Sequence, residues 1–328
     1  MLGPFKKFNR SNTSRAMKNV ACYHKSIPNS KSQEKVDILR LFSLGVTAAG
    51  DNAIDVNTHN YAMSDVGIIQ GWLGHNVSSS PHLKLRRTVI DNQLKNNKYV
   101  ITADSNLFLY ANTTNHPHHY LRYSFNGVFP NTGIYCDTEI DSSRWKQIQQ
   151  DLNISLKDYR TTGNHILLCL QRNGGWSMGN VNIQDWAIET ITKIRQYTDR
   201  PIVIRLHPGD KQSKLLLTPG NPKCRLPLSN TIRLSNNRSI IDDLKNCWAA
   251  INYNSSPVVA AAIEGIPIFV ADKDKSQCSE IANDIEKIET PILYDRQHWA
   301  ERISMFHWKF EELANGSAWA HMRQFINS

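Results

Sequence analysis

The sequence predicts an α/β protein built from two doubly wound domains, residues 1–155 and 156–328, with a helical tail at the C-terminal end. Three observations carry that expectation. Short continuous apolar runs recur at Ile166–Leu170, Pro201–Leu206, Trp248–Tyr253 and Ile266–Val270, the pattern of buried parallel strands. Helical periodicity over Ile183–Tyr197 and Ser239–Asn246 separates them, and strand alternating with helix implies a parallel sheet. Each run also breaks into polar or glycine-rich residues at its C-terminal end, where such sheets bind ligands. The second half therefore reads as a nucleotide-handling domain.

The first half repeats the alternation. Asn19–His24 reads as a strand, followed by a helix from about Ser32 to Ala49 with Val36, Leu39, Leu41, Phe42 and Leu44 as its apolar positions. Gly45 weakens that helix and Gly50 ends it. Asp65–Gln70 is the next strand, running into the loop Gly71-Trp72-Leu73-Gly74-His75. Leu83–Asn97 is a basic amphipathic helix carrying Lys84, Arg86, Arg87 and Lys95, and Lys98–Ala103 is a strand ending at Asp104-Ser105. Residues 110–135, rich in His, Asn, Tyr and Gly (His116, His118, His119, Arg122, Asn126), read as an irregular region facing a cleft. Asp137–Asp158 carries the linker and a helix around Trp145–Leu152, and Trp299–Phe325 reads as the helical, aromatic-rich tail.

A chain of 328 residues accommodates two domains with proper cores. No apolar stretch approaches the roughly 18 residues that span a bilayer. Met1–Lys18 is basic and polar with no apolar core after it, so it reads as a solvated tail and not as a secretory signal. Six scattered cysteines form no close pair, which excludes a CxxC zinc or redox site and suits the cytoplasm. The net charge of +9 favours a polyanionic or phosphate-bearing partner without choosing among nucleic acid, membrane surface and small substrate.

The strand ends hold the chemistry. Asn254-Ser255-Ser256 before Pro257 supplies cap hydroxyls, proline at the first helical position and free backbone N–H groups, which together suit an anion. His207, beside Pro208, is placed to donate to a phosphate oxygen. Arg172, with Asn173, Gly174 and Gly175, forms a loop whose backbone can approach a diphosphate closely, and Trp176 is placed to cover a base or sugar. The GxGxxG fingerprint of dinucleotide binders is absent, which argues against an NAD-type oxidoreductase. Asp242-Asp243 and Asp272-Lys273-Asp274 read as solvated pairs and not as metal ligands.

Ile204-Arg205-Leu206-His207-Pro208 and Asn254-Ser255-Ser256-Pro257 through Glu264-Gly265-Ile266-Pro267 resemble the His-Pro and Ser-containing motifs of bacterial polysialyltransferases and capsule Kdo transferases. Those enzymes have the GT-B layout, two Rossmann-like domains facing a cleft and a C-terminal helical tail. The resemblance covers about a third of the chain. It implies a glycosyltransferase whose second domain holds the nucleotide sugar, UDP-linked by expectation, through Arg172–Trp176, Arg205, His207, Asn254–Ser256 and Glu264, the last on the ribose. It implies that side chains, with no bound metal or tightly held cofactor, stabilise the leaving diphosphate.

A base from the first domain must accept the acceptor hydroxyl's proton in an inverting transfer. Asp104 is the first candidate, and Asp65 and His75 are alternatives. For the acceptor, Arg86, Arg87 and Arg122, with His75, suit a polyanion. In size and basic character the chain resembles phage enzymes that glycosylate hydroxymethylated bases in double-stranded DNA, and that acceptor is the first expectation. The rival is a capsule or surface polysaccharide. A non-catalytic nucleic-acid-binding module is a third reading, and the donor motifs argue against it.

Overall fold

The computed structural model describes residues 16–28, 33–73, 80–109, 120–175, 177–236 and 239–326. Two six-stranded sheets, each flanked by helices, form two domains. The first begins with strand β1 (Asn19–Tyr23), helix α1 (Gln33–Ala48) and β2 (Asn52–Val56). It continues through β3 (Val66–Gln70), α2 (Pro81–Lys95), β4 (Tyr99–Asp104) and β5 (Tyr120–Phe125) to the bridging helix α3 (Ser142–Leu152). β1 to β4 pair in parallel, whereas β5 runs antiparallel to β4. β2 and β5 lie where no strand was expected. β5 falls inside the segment read as irregular, yet Tyr120, Leu121, Tyr123 and Phe125 are all buried aromatic or aliphatic residues, a composition that strands favour.

The second domain comprises β6 (His165–Cys169), α4 (Ile183–Ile194), β7 (Ile202–Arg205), α5 (Lys211–Leu216) and β8 (Ile232–Leu234). There follow α6 (Ile240–Asp243), β9 (Cys247–Asn252), α7 (Pro257–Ile263), β10 (Ile268–Val270), the two-residue β11 (Ala282–Asn283) and α8 (Gln297–Ser304). Every pairing in this sheet is parallel, in the order β11-β10-β9-β6-β7-β8. That is the doubly wound order of nucleotide-binding domains, in which successive crossovers leave the first strand in opposite directions. The reversal lies between β6 and β9, so the crevice opens at their carboxyl ends, at Gln171–Gly175 and Tyr253–Ser256.

The end of the chain departs from the expected boundary. After α8 it forms β12 (His307–Lys309), which pairs antiparallel with β5 in the first sheet, then α9 (Phe310–Ala314) and α10 (Ser317–Met322). Phe310, Leu313, Trp319 and Met322 join Phe42, Tyr123 and Phe125 in the first domain's core. Residues 307–326 thus belong to the first domain and not to the second. The tail is also not purely helical, because its His307-Trp308-Lys309 segment completes the edge beside β5. Between the sheets, Phe108, Tyr120, Trp145 and Ile148 of the first domain share one apolar cluster with Leu167, Val259 and Ile266 of the second, and with Trp299 and Phe306.

Candidate active site

A cleft of about 570 Å³ opens between the carboxyl ends of the two sheets. From the first domain it is lined by Trp72, Leu83, Arg86, Asp104, Ser105, Leu107, Arg122 and Phe129. From the second it is lined by Gln171–Gly175, Ser177, His207, Asn254, Ser255, Ser256 and Lys275. Most of the residues expected at the donor site therefore meet at the topological switch point, and Asp104 faces them from the opposite wall.

The second-domain wall is stitched together by hydrogen bonds among three loops. Gln171, buried just past β6, accepts from Asn254 N at 2.7 Å through Oε1 and donates to Ser177 Oγ at 2.9 Å through Nε2. Asn254 Nδ2 donates to the Ser177 carbonyl at 3.1 Å. Asp210 accepts from Asn173 N at 2.8 Å and caps α5 through Ser213 N at 2.9 Å. Burial raises its carboxyl, but the bonds from Ser213 and Asn173 outweigh that and hold it below the usual range. Gly174, at φ +67°, turns the loop in the left-handed region that glycine adopts without strain. Ser255 Oγ accepts from Asn252 Nδ2 at 3.1 Å, so one of the two hydroxyls is already engaged in shaping the turn.

His207 presents a defined hydrogen-bond donor. Gly209 N donates to its Nδ1 at 3.1 Å, which leaves the proton of the neutral ring on Nε2. Burial lowers its pKa, and Arg172 and Lys214 lower it further against the pull of Asp210, so the ring is neutral at pH 7. Arg172 itself is exposed at the rim. Lys275, which the sequence reading passed over beside its solvated Asp272-Lys273-Asp274 cluster, adds a cation to the cleft. It bonds Asp272 Oδ2 at 3.0 Å and lies 5.6 Å from the Phe129 ring centroid.

In the first-domain wall the antiparallel register of β4 and β5 sets Arg122 opposite Asp104, and their side chains pair at 2.5 Å. Asp104 also accepts from Ser105 N at 2.7 Å through its other oxygen. A carboxylate has about four lone-pair sites, so acceptor capacity remains on the cleft side. Behind this loop, His307 of β12 accepts from Leu107 N at 3.2 Å through Nε2 and donates to the Ile303 carbonyl at 2.7 Å through Nδ1. No sequence signal pointed to His307, because its partner lies 200 residues away.

Several expected site residues lie elsewhere. Asp65 precedes β3, at the opposite end of the sheet, and accepts from Asn19 N at 2.9 Å and Lys98 Nζ at 2.8 Å. The strand's length, roughly 16 Å, separates that end from the cleft, so Asp65 fastens the sheet and does not line the cleft. Arg205 turns away from the cleft to pair with Asp243 at 2.5 Å. Asp243 is consequently buried and not solvated, and it also accepts from Ser235 Oγ. Glu264 sits at the far end of α7, 7% exposed, and pairs with Lys157 Nζ at 2.5 Å. It anchors the segment that links the domains and is not among the residues that line the cleft. Arg86 is buried, with Nε donating to the Ser26 carbonyl at 2.9 Å, and is not a surface phosphate contact. Arg87 is exposed on α2, outside the residues that line the cleft. His75, Trp176, His116, His118, His119 and the basic tail before Ala16 lie outside the described residues.

Two doubly wound domains facing a cleft, with the chain end returning to the first, constitute the GT-B fold. Two solved structures share it over nearly the full chain. Thermosulfurimonas dismutans KpsC, beta Kdo 2,4 transferase, superposes with a TM-score of 0.54 at 9% identity, covering 90% of this chain and 93% of that one. KpsC, beta Kdo 2,7 transferase, from the same organism gives 0.51 at 11% identity, covering 94% and 100%. No family model and no curated protein matches the sequence. Among the described residues no helix is long and apolar enough to cross a membrane.

Proposed function

We propose that this protein is a glycosyltransferase that moves a sugar from a nucleotide donor on the second domain to a saccharide hydroxyl on the first. One observation carries the reading: the cleft sets a carboxylate, Asp104, across from a wall of phosphate-suited donors. Arg172 and Lys275 supply positive charge there. The His207 Nε2–H and the backbone N–H groups of Ser255 and Ser256 supply directed hydrogen bonds to a leaving diphosphate, whereas Asn254 N is already bonded to Gln171. Asp104, fixed by Arg122 and Ser105, accepts the proton of the attacking hydroxyl. In this reading the side chains themselves offset the leaving-group charge, and a uridine nucleotide is the first donor to try.

For the acceptor, the saccharide reading is favoured over hydroxymethylated DNA. The DNA reading rests on phosphate contacts from Arg86, Arg87 and Arg122. Arg122 is paired to Asp104 and Arg86 is buried, so only Arg87 of the three projects into solvent. The two neighbours named as Kdo transferases lend further support to a sugar acceptor.

The test is transfer itself. The protein is incubated with a panel of nucleotide sugars and either saccharide acceptors or hydroxymethylated DNA, and products are weighed by mass spectrometry. The expected product is an extended saccharide. Asp104→Asn should lower turnover by about a hundredfold or more while the nucleoside diphosphate still binds. His207→Ala should weaken that binding by about tenfold. If the wild-type protein binds no nucleotide in calorimetry, the reading falls, and a glucosylated nucleoside from DNA would return the acceptor to nucleic acid.

A further inference from the structure

The inference rests on the saccharide reading above and concerns what the first-domain wall is built to meet. Arg86 projects from α2 into the base of the cleft and is 9% exposed. Its Nε donates to the Ser26 carbonyl at 2.9 Å and its Nη1 to the Trp72 carbonyl at 3.2 Å, both neutral acceptors. Among the described residues no carboxylate forms an ion pair with it. Asp104, the carboxylate of this wall, is bonded to Arg122. The wall therefore holds two guanidinium cations against one carboxylate, an excess of one positive charge.

Burial pushes the Arg86 pKa down to about 10, with Asp104 acting weakly in the other direction, so the cation persists at neutral pH. A guanidinium has five N–H donors, and two suffice to clasp Ser26 and Trp72. Its Nη2 has no hydrogen-bond partner among the described residues, and no Arg86 nitrogen is both buried and unpartnered. The remaining donors therefore open on the cleft. Gly71, at φ +74°, gives the side chain its room: a Cβ there would stand 3.0 Å from Arg86 Nη1. A buried charge held only by neutral carbonyls is costly, and an apolar side chain would fill the space at less cost unless an anion completes the site.

We propose that Arg86 is the recognition point for a carboxylate on the sugar that occupies the first-domain side of the cleft. A carboxylate matches the single excess charge and the fork geometry of guanidinium donors. The recessed position suits a small group that enters the cleft. It does not suit a duplex backbone, whose phosphates meet protruding side chains.

The carboxylate can arrive on the acceptor or on the transferred sugar, and the experiment has an arm for each. In the first, glycosides of glucuronate, galacturonate, sialate and Kdo are titrated against their carboxyl-reduced partners, with UDP or CMP present, whichever the wild-type protein binds. In the second, nucleotide sugars with carboxylated and neutral sugars are compared. In one arm at least one acidic member should bind about tenfold or more tightly than its neutral partner. Arg86→Gln should level that pair while nucleotide affinity is kept, and Arg87→Ala, on the outer face of the same helix, should leave the preference intact. Equal binding of every pair by the wild-type protein overturns the proposal, as does a preference that survives in Arg86→Gln. Should Arg86→Gln fail to fold, the wild-type pairs decide alone. Nucleotide binding without an acid preference defeats this inference only, whereas no nucleotide binding defeats the functional reading beneath it.

Discussion

His307 shows how one side chain can set the pH behaviour of the whole fold. It is fully buried, and burial above all, with Arg122 and Arg144 adding to it, pushes its pKa down to about 3 from the usual 6.5. The folded state therefore refuses a proton that the unfolded chain accepts below pH 6.5. Its contribution to stability is complete above that value and is lost as pH falls toward 3, by up to roughly a kcal/mol per pH unit. Thermal unfolding followed between pH 4 and 7 should show the melting temperature declining as pH drops. His307→Gln, which can still bond Leu107 and Ile303, should flatten the decline, and a variant as acid-sensitive as the wild type would assign the effect to other groups. Of the site residues, those at strand ends (Asp104, His207 and the Asn254–Ser256 turn) were legible because an apolar run that stops abruptly locates the ligand-facing edge. Arg205 and Glu264 were misplaced for a shared reason. A motif fixes neighbours along the chain, but it does not say which way a side chain turns once Asp243 or Lys157 competes for it.

Elements are joined here through backbone contacts as much as through side chains. Gly265, just past α7, takes φ +74° and packs against the segment that links the domains. Arg160 N donates to its carbonyl at 2.8 Å, and a Cβ would stand 2.0 Å from the Asp158 carbonyl oxygen. The Glu-Gly pair thus docks the linker, Glu264 through Lys157 and Gly265 through close approach. Gly265→Ala combines left-handed strain with a clash against backbone, and it should cost on the order of 3 kcal/mol. Chemical denaturation measures this directly. A loss under 1 kcal/mol would mean that the linker moves aside and is not held there.

At the scale of the molecule, the chain end fastens the two domains. α8 contributes Trp299 and Ile303, and the turn after it Phe306, to the shared apolar cluster, after which β12, α9 and α10 complete the first domain. Asp51 draws this end in, accepting from Trp319 Nε1 at 2.8 Å and Arg323 Nε at 2.6 Å. Removing residues 307–326 should therefore destabilise the first domain, far earlier in the chain, and leave the second domain's sheet intact. Amide exchange should show protection lost across β1 and β3 to β5 and kept across β6, β7 and β9. Uniform loss would show that the two domains unfold as one unit.

By itself, the sequence determined the local quantities: buried parallel strands, the polar residues at their ends, and two domains of one architecture. These follow from patterns within a few residues, since apolar runs and turn chemistry act over that range. The tertiary structure alone decided what depends on distant partners. The antiparallel register brought Arg122 to Asp104, and the returning tail set His307 behind Leu107. Packing of α2 turned Arg86 into the cleft and left Arg87 in solvent, although the two are adjacent on a helix that reads as basic and amphipathic. Periodicity gives a helix its buried face, but what a charged residue on that face meets is fixed only when the other elements arrive.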